Sequence, residues 1–261
     1  MYAAFFSFSP KQTALYLGKN SRLCNFVVMA QKKLFRFAQI KTFPNVVEYP
    51  PAMQSEWNAF FGNNNPVVLE LACGRGEYTV GLAKLHPDQN FIGVDVKGNR
   101  MYIGAKTALD QNLKNAAFLR TQIEMLPDYF AEGEVAEIWI TFPDPQLRKS
   151  KAKKRLTHPR FLRLYQKILQ PGGIIHLKTD SPVLYEFTRE VIRLYGCTLH
   201  KFSENVYGEE KVSDELLIST HYEKMDIAKS NRIHYVMFSL PESLSEEDET
   251  LKKFVHDKEK G

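Results

Sequence analysis

Short apolar runs alternate with amphipathic stretches along most of this chain, and that alternation sets the expected architecture. Val67–Leu71 (VVLEL) reads as a buried parallel strand, followed by a glycine turn and a helical pattern from Glu77 to Leu85 that stops at His86-Pro87. Phe91–Val94, ending at Asp95, predicts a second strand and Asn99–Asn112 a second helix. Ala116–Arg120 is a third strand, Glu124–Phe130 a short helix, and Val135–Phe142 a fourth strand. Pro159–Leu169 reads as a helix with Thr157 or His158 near its N-cap and Pro171-Gly172-Gly173 as its stop. Ile174–Leu177 follows as a fifth strand and Pro182–Tyr195 as a helix with proline in its first turn. Thr198–Phe202 and Arg232–Phe238 are expected to close the sheet as an antiparallel pair. Such alternation predicts an α/β fold: a doubly wound, mostly parallel seven-stranded sheet with helices on both faces.

The flanks are less regular. Residues 1–28 lack the basic start and sustained apolar core of a signal peptide, and Met29 is the expected natural initiator. Residues 29–51 are expected to be a basic arm, extended over Arg36–Pro51 because Pro44, Pro50 and Pro51 oppose a helix. The arm lies on nucleic acid or packs on its own domain; both readings stand. Ser55 is expected to cap a short helix through Phe61, which Gly62–Pro66 ends as a turn. One domain covers 52–240, and the charged tail 241–261 is read as frayed helix or disordered.

Composition adds constraints. A chain of 261 residues is long enough for a sizeable core, and 25% charged residues is ordinary for a globular protein. Three scattered cysteines form no metal spacing and no disulfide framework, so the expected compartment is reducing and cytoplasmic, with no metal. No apolar run approaches the roughly 18–20 residues of a membrane span. The net charge of +5 is modest, so its local distribution matters more.

That distribution is uneven. Between Asp144 and Asp180 there are ten Lys or Arg and no Asp or Glu. The strip begins directly after Phe142-Pro143-Asp144-Pro145, where a carboxylate flanked by two prolines ends a strand on stiff backbone. One aimed acid beside dense positive charge suggests chemistry on a polyanion.

The second reactant is suggested by the glycine turn. Gly74 and Gly76 let backbone approach a ligand at a helix N-terminus, but Thr79 stands where a dinucleotide fingerprint has its third glycine. Asp95 is placed to accept hydrogen bonds from both hydroxyls of a ribose. An acid before the turn, Glu70, and another after strand two fit a donor with a ribose and a cationic end, S-adenosylmethionine. The alternative is a structural turn in which Glu70 caps the next helix.

ELACGRG, the Asp95 strand end, FPDP with its basic sequel, Leu177-Lys178-Thr179-Asp180 and Thr220-His221-Tyr222-Glu223 together resemble the bacterial tRNA (guanine-N7)-methyltransferase family, from about Met29 to Phe238. The resemblance implies a class I methyltransferase sheet and methyl transfer from S-adenosylmethionine to N7 of guanosine 46 in the tRNA variable loop. It implies donor contacts at Glu70, Asp95, Gln122 and Asp144, with Asp144 also catalytic. Arg148, Asp180, Thr220 and Glu223 would meet the substrate base or ribose, and Lys151, Lys153, Lys154 and Arg155 the RNA. Read without the resemblance, Thr220 and Glu223 form a capping box; for Asp180, a cap on the helix at Pro182 is the alternative to a substrate contact. The chain departs from the family pattern at Ala72, where many members have Gly, and at Gln146-Leu147-Arg148, where they have Trp-x-Lys. The expected partner is tRNA, with the protein a monomer or homodimer. Competing readings are an RNA-binding protein with an inactive sheet, and an NAD-dependent oxidoreductase, which the missing glycine and the cationic strip disfavour.

Overall fold

The computed structural model describes residues 31, 33–221, 223–225 and 231–258. The expectation for Met1–Val28 and Met29 lies outside the described residues, as does Tyr222.

In the described residues helix α1 spans 33–40, followed by strand β1 (Val46–Glu48) and helix α2 (Trp57–Phe61). Next come β2 (Val67–Leu71), α3 (Glu77–Leu85), β3 (Asn90–Asp95), α4 (Gly98–Asp110) and β4 (Ala116–Arg120). Helix α5 (Leu126–Tyr129), β5 (Val135–Thr141), α6 (Pro159–Tyr165), β6 (Leu169–Thr179) and α7 (Pro182–Leu194) continue the alternation. Strand β7 (Thr198–Ser203), α8 (Asp214–Leu217), β8 (His234–Ser239) and α9 (Asp248–Lys258) complete the described chain.

The sheet runs β1-β4-β3-β2-β5-β6-β8-β7, parallel through β6, with β8 antiparallel to both β6 and β7. The α/β class is the one expected, with eight strands instead of seven. The extra strand is β1 at the edge, where Val46–Glu48 pairs with Phe118–Arg120. This corrects the reading of Arg36–Pro51 as an extended arm. Helix α1 runs through Ile40 and ends four residues before Pro44, so the prolines never enter it.

Every residue of β2 is buried, because both faces are covered. Val67, Leu69 and Leu71 pack into one apolar cluster, and Val68 into the other, beneath α3. Glu70 shares the parity of Val68, so its carboxylate enters the α3 layer.

Several boundaries differ from expectation. Ser55 does not cap α2: Glu56 occupies that position, and the Ser55 N–H donates to Glu134 Oε2 at 3.1 Å. Helix α6 stops at Tyr165, and Leu169 already pairs with Val135. The Pro171-Gly172-Gly173 segment is a bulge within β6, since the register jumps from Val135↔Leu169 to Glu137↔Ile174. His158 is the N-cap of α6, accepting at Nδ1 from the Arg160 N–H.

The described part of the tail, 241–258, is neither frayed nor disordered. Helix α9 buries Leu251 and Val255 and is pinned at both ends. Asp248 accepts from Arg163 and Tyr195 at 3.0 and 2.6 Å, and Lys149 donates to the His256 carbonyl at 2.8 Å.

Candidate active site

In a doubly wound sheet, ligands bind outside the carboxyl ends of the strands where successive connections diverge. Here that point lies between β2 and β5: the chain moves from β2 to β3 and β4 on one side, and from β5 to β6 on the other. Register brings Leu71 beside Val94 and Ile140, so the ends of β2, β3 and β5 are level. Asp95, the Ala72–Gly76 turn, Thr121-Gln122, Asp144 and Asp180 therefore all follow strands at one edge.

The β2–α3 turn is built from left-handed backbone. Ala72, Gly74 and Gly76 have φ of 56°, 56° and 68°. Gly76 has a second constraint, because a Cβ there would run into the Phe118 ring. Asp95 closes the turn: Oδ2 accepts from the Gly74 N–H at 3.0 Å and Oδ1 from the Lys97 N–H at 2.8 Å.

Glu70 is 3% exposed. Its Oε2 accepts from the Thr79 N–H at 2.8 Å and from the Thr79 hydroxyl, and Oε1 accepts from Thr141 Oγ1 at 2.8 Å. Thr79 lies in the first turn of α3, so Glu70 satisfies a free helix N–H there. Burial pushes its pKa up to about 7, despite the hydrogen bonds from Thr79 and Thr141 that favour the charged form. Both oxygens are thus engaged within the protein, as in the helix-capping alternative. Beyond Asp95, Thr121 is buried at the end of β4, and its hydroxyl has no partner among the described residues. Gln122 is exposed beside it, as the N-cap of a 3-10 turn.

The β5 side has the opposite character. Asp144 is exposed on the loop after β5, and its Oδ1 accepts from the Gln146 N–H at 3.0 Å. That turn holds one oxygen and leaves the carboxylate pointing from a fixed base. Phe142 and Gln146 have φ of 46° and 48°, left-handed values that non-glycine residues rarely adopt. Arg155 holds this corner, donating to the carbonyls of Pro145 and Gln146, both at 3.2 Å, with its guanidinium 4.6 Å from the Phe187 ring centre.

Arg155 is 2% exposed, which corrects its assignment to the RNA surface. Its charge serves the loop's carbonyls instead. Lys151, Lys153 and Lys154 are exposed on the 3-10 segment Lys149–Lys154, which Arg148 precedes, and no carboxylate pairs with them among the described residues.

Thr220 and Glu223 do not present their polar groups to an open surface. They form a reciprocal box, the Glu223 N–H donating to Thr220 Oγ1 at 3.1 Å and the Thr220 N–H to Glu223 Oε2 at 3.3 Å. Glu223 also accepts from Lys178 at 3.2 Å and from the Tyr207 hydroxyl. Asp180 is half-buried directly after β6; Ser181, not Asp180, caps α7 by accepting from the Leu184 N–H at 3.3 Å. The edge thus brings together Gly74, Gly76, Asp95, Gln122, Asp144 and Asp180, while Glu70, Arg155, Thr220 and Glu223 lie behind it. Reasoning from sequence missed Lys178 and Thr121. Lys178 lies within Leu177-Lys178-Thr179-Asp180, and its place in a buried strand was the available signal.

A family model described as "Putative methyltransferase" matches residues 64–236. A tRNA (guanine-N(7)-)-methyltransferase of Porphyromonas gingivalis is 51% identical over 215 residues, 78% of this chain and 87% of that protein. One of Bacteroides thetaiotaomicron is 46% identical over 223 residues, 82% of this chain and 88% of its own. Among solved structures, a 30S ribosomal methyltransferase from an uncultured bacterium superposes with a TM-score of 0.53 at 17% identity, covering 72% of this chain and 93% of the other. That last likeness is one of fold.

Proposed function

Because this chain belongs to the tRNA (guanine-N7)-methyltransferase family, we propose that it transfers a methyl group from S-adenosylmethionine to N7 of guanosine 46 in the variable loop of tRNA. The observation that carries the reading is the pairing of Asp144 and the Asp95-closed turn on either side of the β2/β5 divergence.

The residues present fit the donor. Asp95, at the end of β3, fixes the β2–α3 turn, and the orphaned Thr121 hydroxyl offers a polar atom needing a partner. Val96 and Met125, 41% and 43% exposed, supply apolar surface beyond β3 and β4 for a purine. Gly74, Gly76, Asp95 and Gln122 hold the donor, and Glu70 shapes the turn from behind. S-adenosylmethionine supplies an electrophilic methyl group on a sulfonium.

Guanine N7 carries a free lone pair, so no base has to remove a proton before attack. Catalysis then rests on alignment, which can be worth up to ~7–11 kcal/mol. Asp144 accepts from the guanine N1–H and 2-amino group, which fixes the pose and stabilises positive charge growing on the ring. Arg148 and Asp180 hold the nucleotide from the other side of the loop. Lys151, Lys153 and Lys154 bind phosphates.

The test is incubation of the protein with unmodified tRNA and labelled donor, followed by nucleoside mass spectrometry and mapping of the site. Label in 7-methylguanosine at position 46 is expected. Label on another base, or none, overturns the reading.

A further inference from the structure

Lys178 is fully buried in β6, two residues before Asp180. An ammonium has three protons to give, and here all three have acceptors. Nζ donates to the carbonyls of Leu216 and Ile218 at 2.8 and 3.1 Å and to Glu223 Oε2 at 3.2 Å. Three rings surround it: Tyr78, Phe142 and Tyr207 have centres 5.6, 5.4 and 5.6 Å from Nζ. Burial lowers its pKa, and the charge of Glu223 opposes that shift.

These interactions tie together segments distant in sequence. Phe142 opens the loop that carries Asp144: its ring faces the ammonium, and its N–H donates to the Lys178 main-chain carbonyl at 2.8 Å, a bond that any residue at 178 would keep. Leu216, Ile218 and Glu223 belong to the segment crossing α3, which is further held where the His221 N–H meets Glu77 Oε2 at 3.2 Å and Tyr78 the Glu215 carbonyl at 2.5 Å. The Thr220–Glu223 box keeps the carboxylate facing Lys178.

A buried ion pair is a poor source of stability, since an apolar pair of similar volume often does as well. What such a pair supplies is a single arrangement of the groups it joins. Resting on the methyl-transfer reading above, we propose that Lys178 is a positioning residue for the reaction: its ammonium locks the Phe142–Pro145 corner, residues 216–218 and Glu223 in one register, and so fixes where Asp144 and Asp180 meet the guanine. Thr220 and Glu223 then act through Lys178 and not by touching the base.

The test compares wild type, Lys178→Met, the double variant Lys178→Met/Glu223→Gln and Tyr207→Phe, with donor binding, melting temperature and single-turnover methylation at saturating tRNA each measured. Wild type is assayed first; if it makes no 7-methylguanosine, the proposed function fails and not this inference. For the double variant, which leaves no unpaired buried charge but removes the donor to the Leu216 and Ile218 carbonyls, we expect a lower melting temperature than wild type, donor Kd close to wild type and a methylation rate about a hundredfold lower, the scale set by misplacing a reacting group by about 1 Å. Tyr207 is half-exposed, and Tyr207→Phe keeps the ring beside Nζ while removing only the hydroxyl that bonds Glu223, so this variant folds whatever happens to the others. It is expected to lower the rate about three- to tenfold, the scale of one weakened charge-assisted hydrogen bond, with donor Kd unchanged. If the double variant methylates at the wild-type rate once its melting is restored, Lys178 is only structural. If neither Lys178 variant folds, an unchanged rate in Tyr207→Phe overturns the proposal.

Discussion

The two sides of the β2/β5 divergence are built in opposite ways. On the β2/β3 side the acids are engaged within the protein: Glu70 is buried with both oxygens bonded, and Asp95 is tied to two backbone N–H groups. On the β5 side the acid is exposed, one oxygen is held by the Gln146 N–H, and exposed lysines follow. The difference matches the reactants proposed for each side. A small donor needs a pocket whose polar groups are fixed before it arrives. A polynucleotide brings its own charge and shape, and needs an aimed group with open positive surface around it.

The sharpest way to break this contrast is to remove the aimed acid. Asp144→Ala should lower single-turnover methylation by about a hundredfold or more, the scale of removing one group that stabilises the transition state, while donor Kd changes little. Equal losses in both would place Asp144 on the donor side of the divide.

Next in size is the cationic strip. Replacing Lys151, Lys153 and Lys154 with Ala should flatten the dependence of log affinity for tRNA on log salt by about 2–3 units, at ~0.7–0.9 for each phosphate no longer neutralised. An unchanged slope would remove the strip from the interface.

Smaller effects probe the donor side. The pKa of Glu70, about 7 when folded against 4.5 as the ordinary value, means that the folded state binds the extra proton. Its contribution to stability is full below pH 4.5 and is lost as pH rises through 7. Glu70→Gln should therefore flatten the decline of stability over that window. Calorimetry in buffers of differing ionisation enthalpy adds a sharper question. If Glu70 touches the donor's cationic end, binding near pH 7 draws a proton from it; if it only caps α3, Glu70 releases none.

The smallest expected effect is at Ala72. Its φ of 56° costs an alanine roughly 1 kcal/mol, so Ala72→Gly should raise stability by up to that amount, less the extra chain entropy of glycine. A lower melting temperature would show that the Ala72 methyl packs favourably enough to outweigh the strain.

Much of the fold was legible because its strands are short apolar runs buried on both faces. Val67–Leu71 and Ala116–Arg120 fall where the pattern put them, and Val135–Phe142 and Asn99–Asn112 within two residues at each end. What escaped depends on partners far away in sequence. A bulge at Pro171–Gly173 resembles a helix stop because the same residues serve both. The tail resembles a disordered run of charge until Arg163, Tyr195 and Lys149 are seen to hold helix α9 at Asp248 and His256.

The site was legible by the same rule and failed by the same rule. Asp95 and Asp144 sit at strand ends, which local pattern locates, and both lie on the expected edge. Arg155 is a cation in a cationic stretch, and charge alone places such a residue in solvent, whereas Lys178 follows the apolar run Ile174–Leu177, whose pattern was the available signal. Their burial follows from acceptors on the neighbouring loops: the Pro145 and Gln146 carbonyls for Arg155, and the 216–223 segment for Lys178.

The claim that Asp144 grips the guanine is tested most directly by a cycle pairing Asp144→Ala with a tRNA carrying inosine in place of guanosine 46, which lacks the 2-amino group. Wild type should methylate the inosine tRNA about tenfold or more slowly than the guanosine tRNA, the scale of a hydrogen bond to a charged group, whereas Asp144→Ala should treat the two alike. Equal penalties for inosine in both proteins would contradict the account.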